Sequence, residues 1–195
     1  IISDVTGDDP THIGSGPCAP DPTTYADALE IVNRYGMTVP PAVLARLERG
    51  ARGEIDETPK PGDGLFARVE NRVVATAQQS LQAAARCFEA AGIRAAVLGD
   101  SVTGEASQVA KVYGALVRQV RRHGGPFAVP VALVSGGECT VTVRGAGKGG
   151  RCAEFLLALG IDLDGEPDVH ALAADTDGID GSEDNAGAWL APETL

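Results

Sequence analysis

The chain has 195 residues, with 16 Lys+Arg against 27 Asp+Glu, a formal net charge of −11 and an isoelectric point near 4.6. So acidic a chain is repelled by nucleic-acid backbones and anionic membrane surfaces, which excludes both as expected partners, and no apolar run approaches the roughly 18–20 residues of a membrane span. Hydrophobic residues at 44% and charged residues at 22% are those of a globular protein, whereas 25 glycines are nearly twice the usual share of about 7%.

The chain opens Ile1-Ile2-Ser3-Asp4 without an initiator Met and stops at Ala191-Pro192-Glu193-Thr194-Leu195, ends expected of an internal piece of a longer protein. Residues 1–20 hold Gly7, Gly14, Gly16, Pro10, Pro17 and Pro20 and read as irregular loop. Asp21-Pro22 has the pattern of an N-cap followed by Pro at the first helical position, with Tyr25, Leu29 and Val32 on one face and Gly36 as the stop. Pro40-Pro41 opens a second helix carrying Val43, Leu44 and Leu47 and ending near Gly50. Residues 51–64 mix charge, Pro and Gly without a period, which is the expected domain boundary.

Beyond it the pattern alternates. Arg72–Ala75 reads as a short strand, and Thr76 caps a helix to Ala91 with Leu81, Ala84, Ala85 and Phe88 inward. Ala95–Leu98 is a buried strand, and Gly104–Arg122 a helix whose stripe is Val109, Val112, Leu116, Val117 and Val120. Val129–Val134 is a second buried strand, Thr140–Val143 a half-exposed one, Ala153–Leu159 a helix, and Val169–Ala174 a strand. The expectation is an α/β fold: a three-layer, mostly parallel sheet with helices on both faces. Ligands on such sheets sit at the carboxyl ends of the strands, where this chain concentrates glycines and acids.

Four loops carry the chemistry-bearing residues. Ser135-Gly136-Gly137-Glu138 directly follows a buried strand. Gly145-Ala146-Gly147-Lys148-Gly149-Gly150-Arg151 satisfies G-x-G-x-x-G between a strand and a helix. That pattern fits a plain turn, an anion cradle of backbone N–H groups aided by Lys148 and Arg151, or a dinucleotide fold. A Walker A loop does not fit, since Lys148 is followed by Gly149. Residues 162–184 hold nine acids and no Lys or Arg. Within them Asp175, Asp177 and Asp180 lie on the glycine-rich exit of a strand, where clustered carboxylates suit Mg²⁺. The spacing is not that of an EF-hand. The first loop repeats the motif with Asp4, Asp8, Asp9, Thr6 and Ser15. Cys18, Cys87, Cys139 and Cys152 form no C-x-x-C pair, which predicts free thiols and a cytoplasmic location. His12, His123 and His170 form no pair at ligand spacing. A basic glycine cradle beside acidic glycine loops, without a nucleophile–His arrangement, points to phosphoryl transfer.

ISDVTGDDPTHIGSGP (2–17), LVSGGECTVTVRGAGKGGR (133–151), EFLLAL (154–159) and ALAADTDGIDGSEDNAGA (171–188) together resemble the class II glycerate kinases, the glycerate 2-kinases with a MOFRL domain, some of which are named hydroxypyruvate reductase. The resemblance implies a two-domain α/β enzyme, its active site in the cleft between the domains, that passes the γ-phosphate of ATP to a hydroxyl of D-glycerate with Mg²⁺. It implies that residues 1–64 are the tail of the N-terminal domain plus linker, and 65–195 most of the C-terminal domain. It implies catalytic roles for Arg151, Asp4 and Asp8, nucleotide binding by Ser135, Gly136, Gly137, Glu138, Gly147, Lys148, Gly149 and Gly150, and metal binding by Asp175, Asp177 and Asp180. A small-molecule substrate and a homodimer are the partners it allows. Two departures stand out: Cys152-Ala153 replaces the family's Asn-Gln after Gly-Gly-Arg, and the region that carries a catalytic lysine in the family precedes Ile1. The alternatives are an NAD(P)H-dependent hydroxypyruvate reductase and a non-catalytic sugar-acid or nucleotide-binding module.

Overall fold

The computed structural model describes residues 1–195, which divide into two compact units, Ile1–Val74 and Ala75–Leu195. In the first unit, α1 (Tyr25–Arg34) and α2 (Pro41–Ala51) pack on each other. The cap of α1 is Thr24 rather than Asp21: Thr24 and Asp27 form a reciprocal capping box. Asp21 instead accepts from the Thr23 backbone N–H at 2.8 Å and from the Thr23 and Thr58 hydroxyls at 2.7 and 2.8 Å, and these donors hold its carboxyl below the usual range. The charged stretch 51–64 lies inside this unit. Its Pro59 carbonyl accepts from the Asp21 N–H at 2.9 Å, Glu57 accepts from the Tyr25 N–H at 3.1 Å, and the Lys60 ammonium donates to the Thr23 carbonyl. Residues 72–74 form no strand, although the Val74 N–H donates to the Ile1 carbonyl at 2.9 Å.

The second unit begins with α3 (Ala77–Ala90), capped by Thr76 as expected. It continues through β1 (Arg94–Glu105), α4 (Ala106–His123), β2 (Val131–Thr140), α5 (Arg151–Leu163), β3 (Ala171–Ala174) and β4 (Gly187–Leu190). The class is α/β, but the strands form two separate pairs. β1 and β2 run parallel, joined through α4 in a βαβ unit with α3 packed against both strands, and β3 pairs antiparallel with β4. β4 was not legible in the sequence, being four residues long behind an acidic loop. One face of the β3–β4 hairpin packs on α5 and the other is open, so the facing pair Leu172 and Trp189 is 77% and 69% exposed.

The core of this unit joins Ala110, Leu156, Leu159, Leu163 and Leu190. The buried stripe of α4 is Ala106, Ala110, Gly114 and Val120, whereas Val112, expected inward, is exposed. Small side chains four residues apart let α5 approach closely enough that Asp162 fills the place a Gly114 Cβ would take. Arg118 then pairs with Asp162 and Arg121 with Glu166, both at 2.7 Å, across the two helices. Phe88, also expected inward, is exposed at the end of α3, where Ala85 is the buried residue.

Candidate functional site

The site in the second unit is built where β2 and β3 deliver their ends to the start of α5. β2 does not stop at Val134. It runs on through Ser135-Gly136-Gly137-Glu138 to Thr140, pairing Val102 with Gly137 and Thr103 with Glu138. The expected binding loop at 135–138 is therefore strand, and Thr140–Val143 is not a separate one. The reason lies in the partner: β1 extends to Glu105 and offers a parallel ladder, with register shifts at Gly99, for β2 to follow. Along it, the Tyr113 hydroxyl donates to the Ser135 Oγ at 2.7 Å, Gly136 lies against Leu81, and Glu138 points towards Arg151.

Residues 141–150 leave the strand as irregular chain, stabilised at its start by Glu105, which accepts from the Thr142 N–H at 2.8 Å. Gly145, Gly147 and Lys148 are exposed, and Lys148 reaches Glu183 at 3.5 Å. Gly149 has φ +131, a backbone that favours glycine, and Gly150 is the N-cap of α5 without a side-chain oxygen of its own.

The missing cap comes from Asp180, 28 residues beyond Cys152. Asp180 is fully buried, and its two oxygens accept from the N–H groups of Cys152 at 2.9 Å and Ala153 at 2.8 Å. These are the second and third amides of α5, two of the donors that a helix start leaves unpaired. The fit is close. A Cβ on Gly150 would meet Asp180 and the Gly181 nitrogen at 2.6 Å, and one on Gly181 would lie 2.7 Å from the Gly150 Cα. Asp180 is itself held by its N–H to the Asn185 carbonyl at 2.7 Å, and the Asp175 N–H to the Ala186 carbonyl at 2.6 Å ties down the other end of the loop.

Arg151, the first residue of α5, stands beside this cap. Its guanidinium contacts Asp175 at 2.5 Å and Glu138 at 3.1 Å. The two carboxylates differ: the Asp175 side chain is 6% exposed and the Glu138 side chain 51%. Arg151 thus has one buried partner and one at the surface.

Of the expected Mg²⁺ ligands, Asp175 and Asp180 come together and Asp177 does not. Asp177 is exposed and turned into its own loop, accepting from the Ile179 N–H at 3.0 Å. The cluster that forms is Cys152 with Asp175 and Asp180, their ligand atoms within 4.8 Å of one another. Magnesium takes hard oxygen ligands. Here one group is a thiol, Asp180 is spent on two amides, and Asp175 on a guanidinium. These residues do not fit a resident Mg²⁺. What sequence reading missed is the capping role of Asp180. The sequence offers only an acid between Gly178 and Gly181; the burial of Asp180 and its place against Gly150 emerge in the fold.

Burial beside Asp180 and Asp175 pushes the Cys152 thiol up to about 11, against the opposing pull of Arg151. Its proton stays on through the physiological range, which makes Cys152 a poor nucleophile. The sign follows from linkage: an unfolded thiol ionises near 8.5, so the folded state loses relative stability only as pH rises from about that value towards 11. Alkylation by iodoacetamide at pH 8, followed by mass spectrometry, should modify exposed Cys18 and Cys87 well before Cys152.

In the first unit, Asp4 is exposed and Asp8 half-buried with a left-handed φ of 53°. Asp9, not singled out for a structural task, accepts from the N–H and hydroxyl of Thr11, both at 2.8 Å, which hold its carboxyl below the usual range. No helix is long and apolar enough to cross a membrane.

Comparison with known proteins matches residues 131–195 to the MOFRL family and residues 1–48 to a domain of unknown function, DUF4147. An Agrobacterium vitis protein provisionally named hydroxypyruvate reductase is 45% identical over 100% of this chain and 43% of its own length. A Pyrococcus horikoshii protein named glycerate 2-kinase is 41% identical over 96% of this chain and 42% of its own. A crystal structure of glycerate kinase from Thermotoga maritima superposes with a TM-score of 0.79 at 33% identity, covering 98% of this chain and 44% of that one. The chain spans a little under half the length of these relatives. Residues 131–195 thus match the MOFRL family, and over nearly its whole length the chain is similar to proteins named glycerate 2-kinase and hydroxypyruvate reductase.

Proposed function

We propose that the protein transfers the γ-phosphoryl group of ATP to a hydroxyl of D-glycerate. The observation that carries this reading is Arg151, held at the start of α5 by one buried and one exposed carboxylate beside an open glycine loop bearing Lys148. An incoming phosphate or carboxylate can replace Glu138 while Asp175 keeps the guanidinium aimed, because the exposed partner is the cheaper one to displace. Relatives named glycerate kinase align over nearly the whole chain, which supports this substrate class. In the reaction a glycerate hydroxyl oxygen attacks the γ-phosphorus, its bond to the ADP oxygen breaks, and the hydroxyl proton is released. Such transfer depends on positioning and charge neutralisation, which Arg151 and Lys148 supply. Mg²⁺ is proposed to arrive as part of the nucleotide substrate. The exposed glycines at 145 and 147 with Lys148 are assigned to its phosphates, and Asp4 and Asp8 are assigned to the reaction on the resemblance alone. Four free cysteines suit a cytoplasmic setting.

The reductase reading is favoured by the name of the Agrobacterium relative. Against it stands Asp180: a dinucleotide fold presents its pyrophosphate with a free helix N-terminus, and here the second and third amides are taken. Full-length protein given ATP, Mg²⁺ and D-glycerate should release ADP and form phosphoglycerate in equal amounts, followed by coupled assay and ³¹P NMR. A folded protein that leaves ATP intact with D-glycerate and other short hydroxy acids overturns the proposal. NADH oxidation with hydroxypyruvate would replace it with the reductase.

A further inference from the structure

We propose that Asp180 is a positioning residue for Arg151. This inference rests on the reading of Arg151 as the group that meets the anionic substrate. The buried Asp180 carboxylate accepts from two successive amides, those of Cys152 and Ala153, and so fixes the first turn of α5. Arg151 is the residue immediately before those amides, and the direction of its side chain follows from that turn. The loop that carries Asp180 also carries Asp175, the buried partner of the Arg151 guanidinium. One segment, tied at Asn185 and Ala186 by backbone hydrogen bonds, therefore bears on both the backbone and the tip of the same arginine. Gly150 and Gly181 meet with no room for a Cβ on either, so the cap cannot shift sideways while the loop stays in place.

The same contact takes two of the helix-start amides away from outside anions. Free amides at that end would attract any phosphate. With Asp180 seated there, an anion is left the exposed glycine loop, Lys148 and the outer side of Arg151. The acid read from the sequence as a metal ligand is thus engaged by donors, and its effect on the reaction passes through the backbone.

The test uses full-length protein carrying Asp180→Asn, which keeps the size of the side chain but turns an NH₂ donor towards an amide that needs an acceptor. Thermal unfolding first establishes that the variant is folded at the assay temperature. Misplacing a catalytic group by about 1 Å costs on the order of 10²-fold, so kcat/KM for D-glycerate is expected to fall by about 10- to 100-fold. In an Arg151→Lys background the same substitution should have an additional effect within about threefold, because the residue through which it acts is already altered. Asp180→Glu, which retains both acceptor oxygens, should recover part of the loss. An Asp180→Asn protein within threefold of wild type, or one that loses the same factor with and without Arg151, overturns the proposal. Failure of both variants to fold also overturns it, in favour of a purely structural cap. If the wild-type protein does not phosphorylate glycerate, the functional reading fails but the positioning claim is still decided. The Arg151 Nε–H resonance in ¹⁵N NMR should move or broaden in Asp180→Asn, and an unchanged resonance counts against it.

Discussion

Replacing Arg151 by alanine in the full-length protein should lower kcat for ATP-dependent glycerate phosphorylation by about 10²–10³-fold, the loss typical of removing one preorganised group from a developing anion. Because that group is assigned to the transferring phosphate, kcat should fall more than KM rises. The substitution has a second effect that must be kept apart from the first. It leaves Asp175, almost wholly buried, without its guanidinium partner, and an uncompensated buried carboxylate is destabilising by a few kcal/mol. The double variant Arg151→Ala/Asp175→Asn removes the stranded charge. It should recover most of the lost thermal stability while remaining as inactive as Arg151→Ala alone. Arg151→Lys retains a charge but not the planar fork, and should fall between wild type and the alanine variant. Activity restored along with stability in the double variant would show that Arg151 acts only as a structural ion pair.

The parts of this site legible in the sequence were those set by local residue type. A glycine-rich segment ahead of a helix, an arginine closing that segment, and acids at the exit of a strand could be read directly, and the structure places Arg151, Glu138, Asp175 and Asp180 together. What those residues do to one another could not be read, because it depends on pairings across 13 to 28 positions. Ser135–Glu138 looked like a loop because two consecutive glycines usually end a strand, yet β1 provides a ladder that carries β2 through them. Asp180 looked like a cation ligand because acids near glycines are common in such loops, yet the helix start facing it supplies two donors. In the fold, helices with strong caps such as Thr76 were placed well. The face of α4 was read correctly at Val117 and Val120 but wrongly at Val112, because hydrophobicity favours Val112 over Ala110 and Gly114, whereas close helix approach favours the small residues. The antiparallel β3–β4 pair was missed for a related reason: an alternating four-residue strand offers too few positions for its period to show.

Gly137 offers the sharpest check on the corrected reading of β2. If 135–138 were a flexible phosphate loop, an added methyl at Gly137 would cost little stability and act mainly on nucleotide binding. In the structure Gly137 has φ +149 and faces Val102 of β1, where a Cβ would meet the Val102 carbonyl oxygen and lie 2.5 Å from its nitrogen. Backbone atoms in a paired strand cannot give way as the end of a side chain can, so Gly137→Ala must either part the two strands or force a φ that L-residues avoid. The expected cost is about 3–5 kcal/mol, a fall in Tm of roughly 10 °C or more for a unit of this size, read by calorimetry on the full-length protein. Gly136→Ala is the internal control. Its Cβ would rest against Leu81 at 3.5 Å, ordinary contact with a flexible side chain, and Tm should change by no more than a few degrees. Glu138 follows Gly137 directly and supplies the exposed partner of Arg151, so the Gly137→Ala protein should also lose activity at temperatures where it remains folded. A Gly137→Ala protein as stable as its Gly136→Ala counterpart would return this segment to the status of a loop and remove β2 as the support of the site.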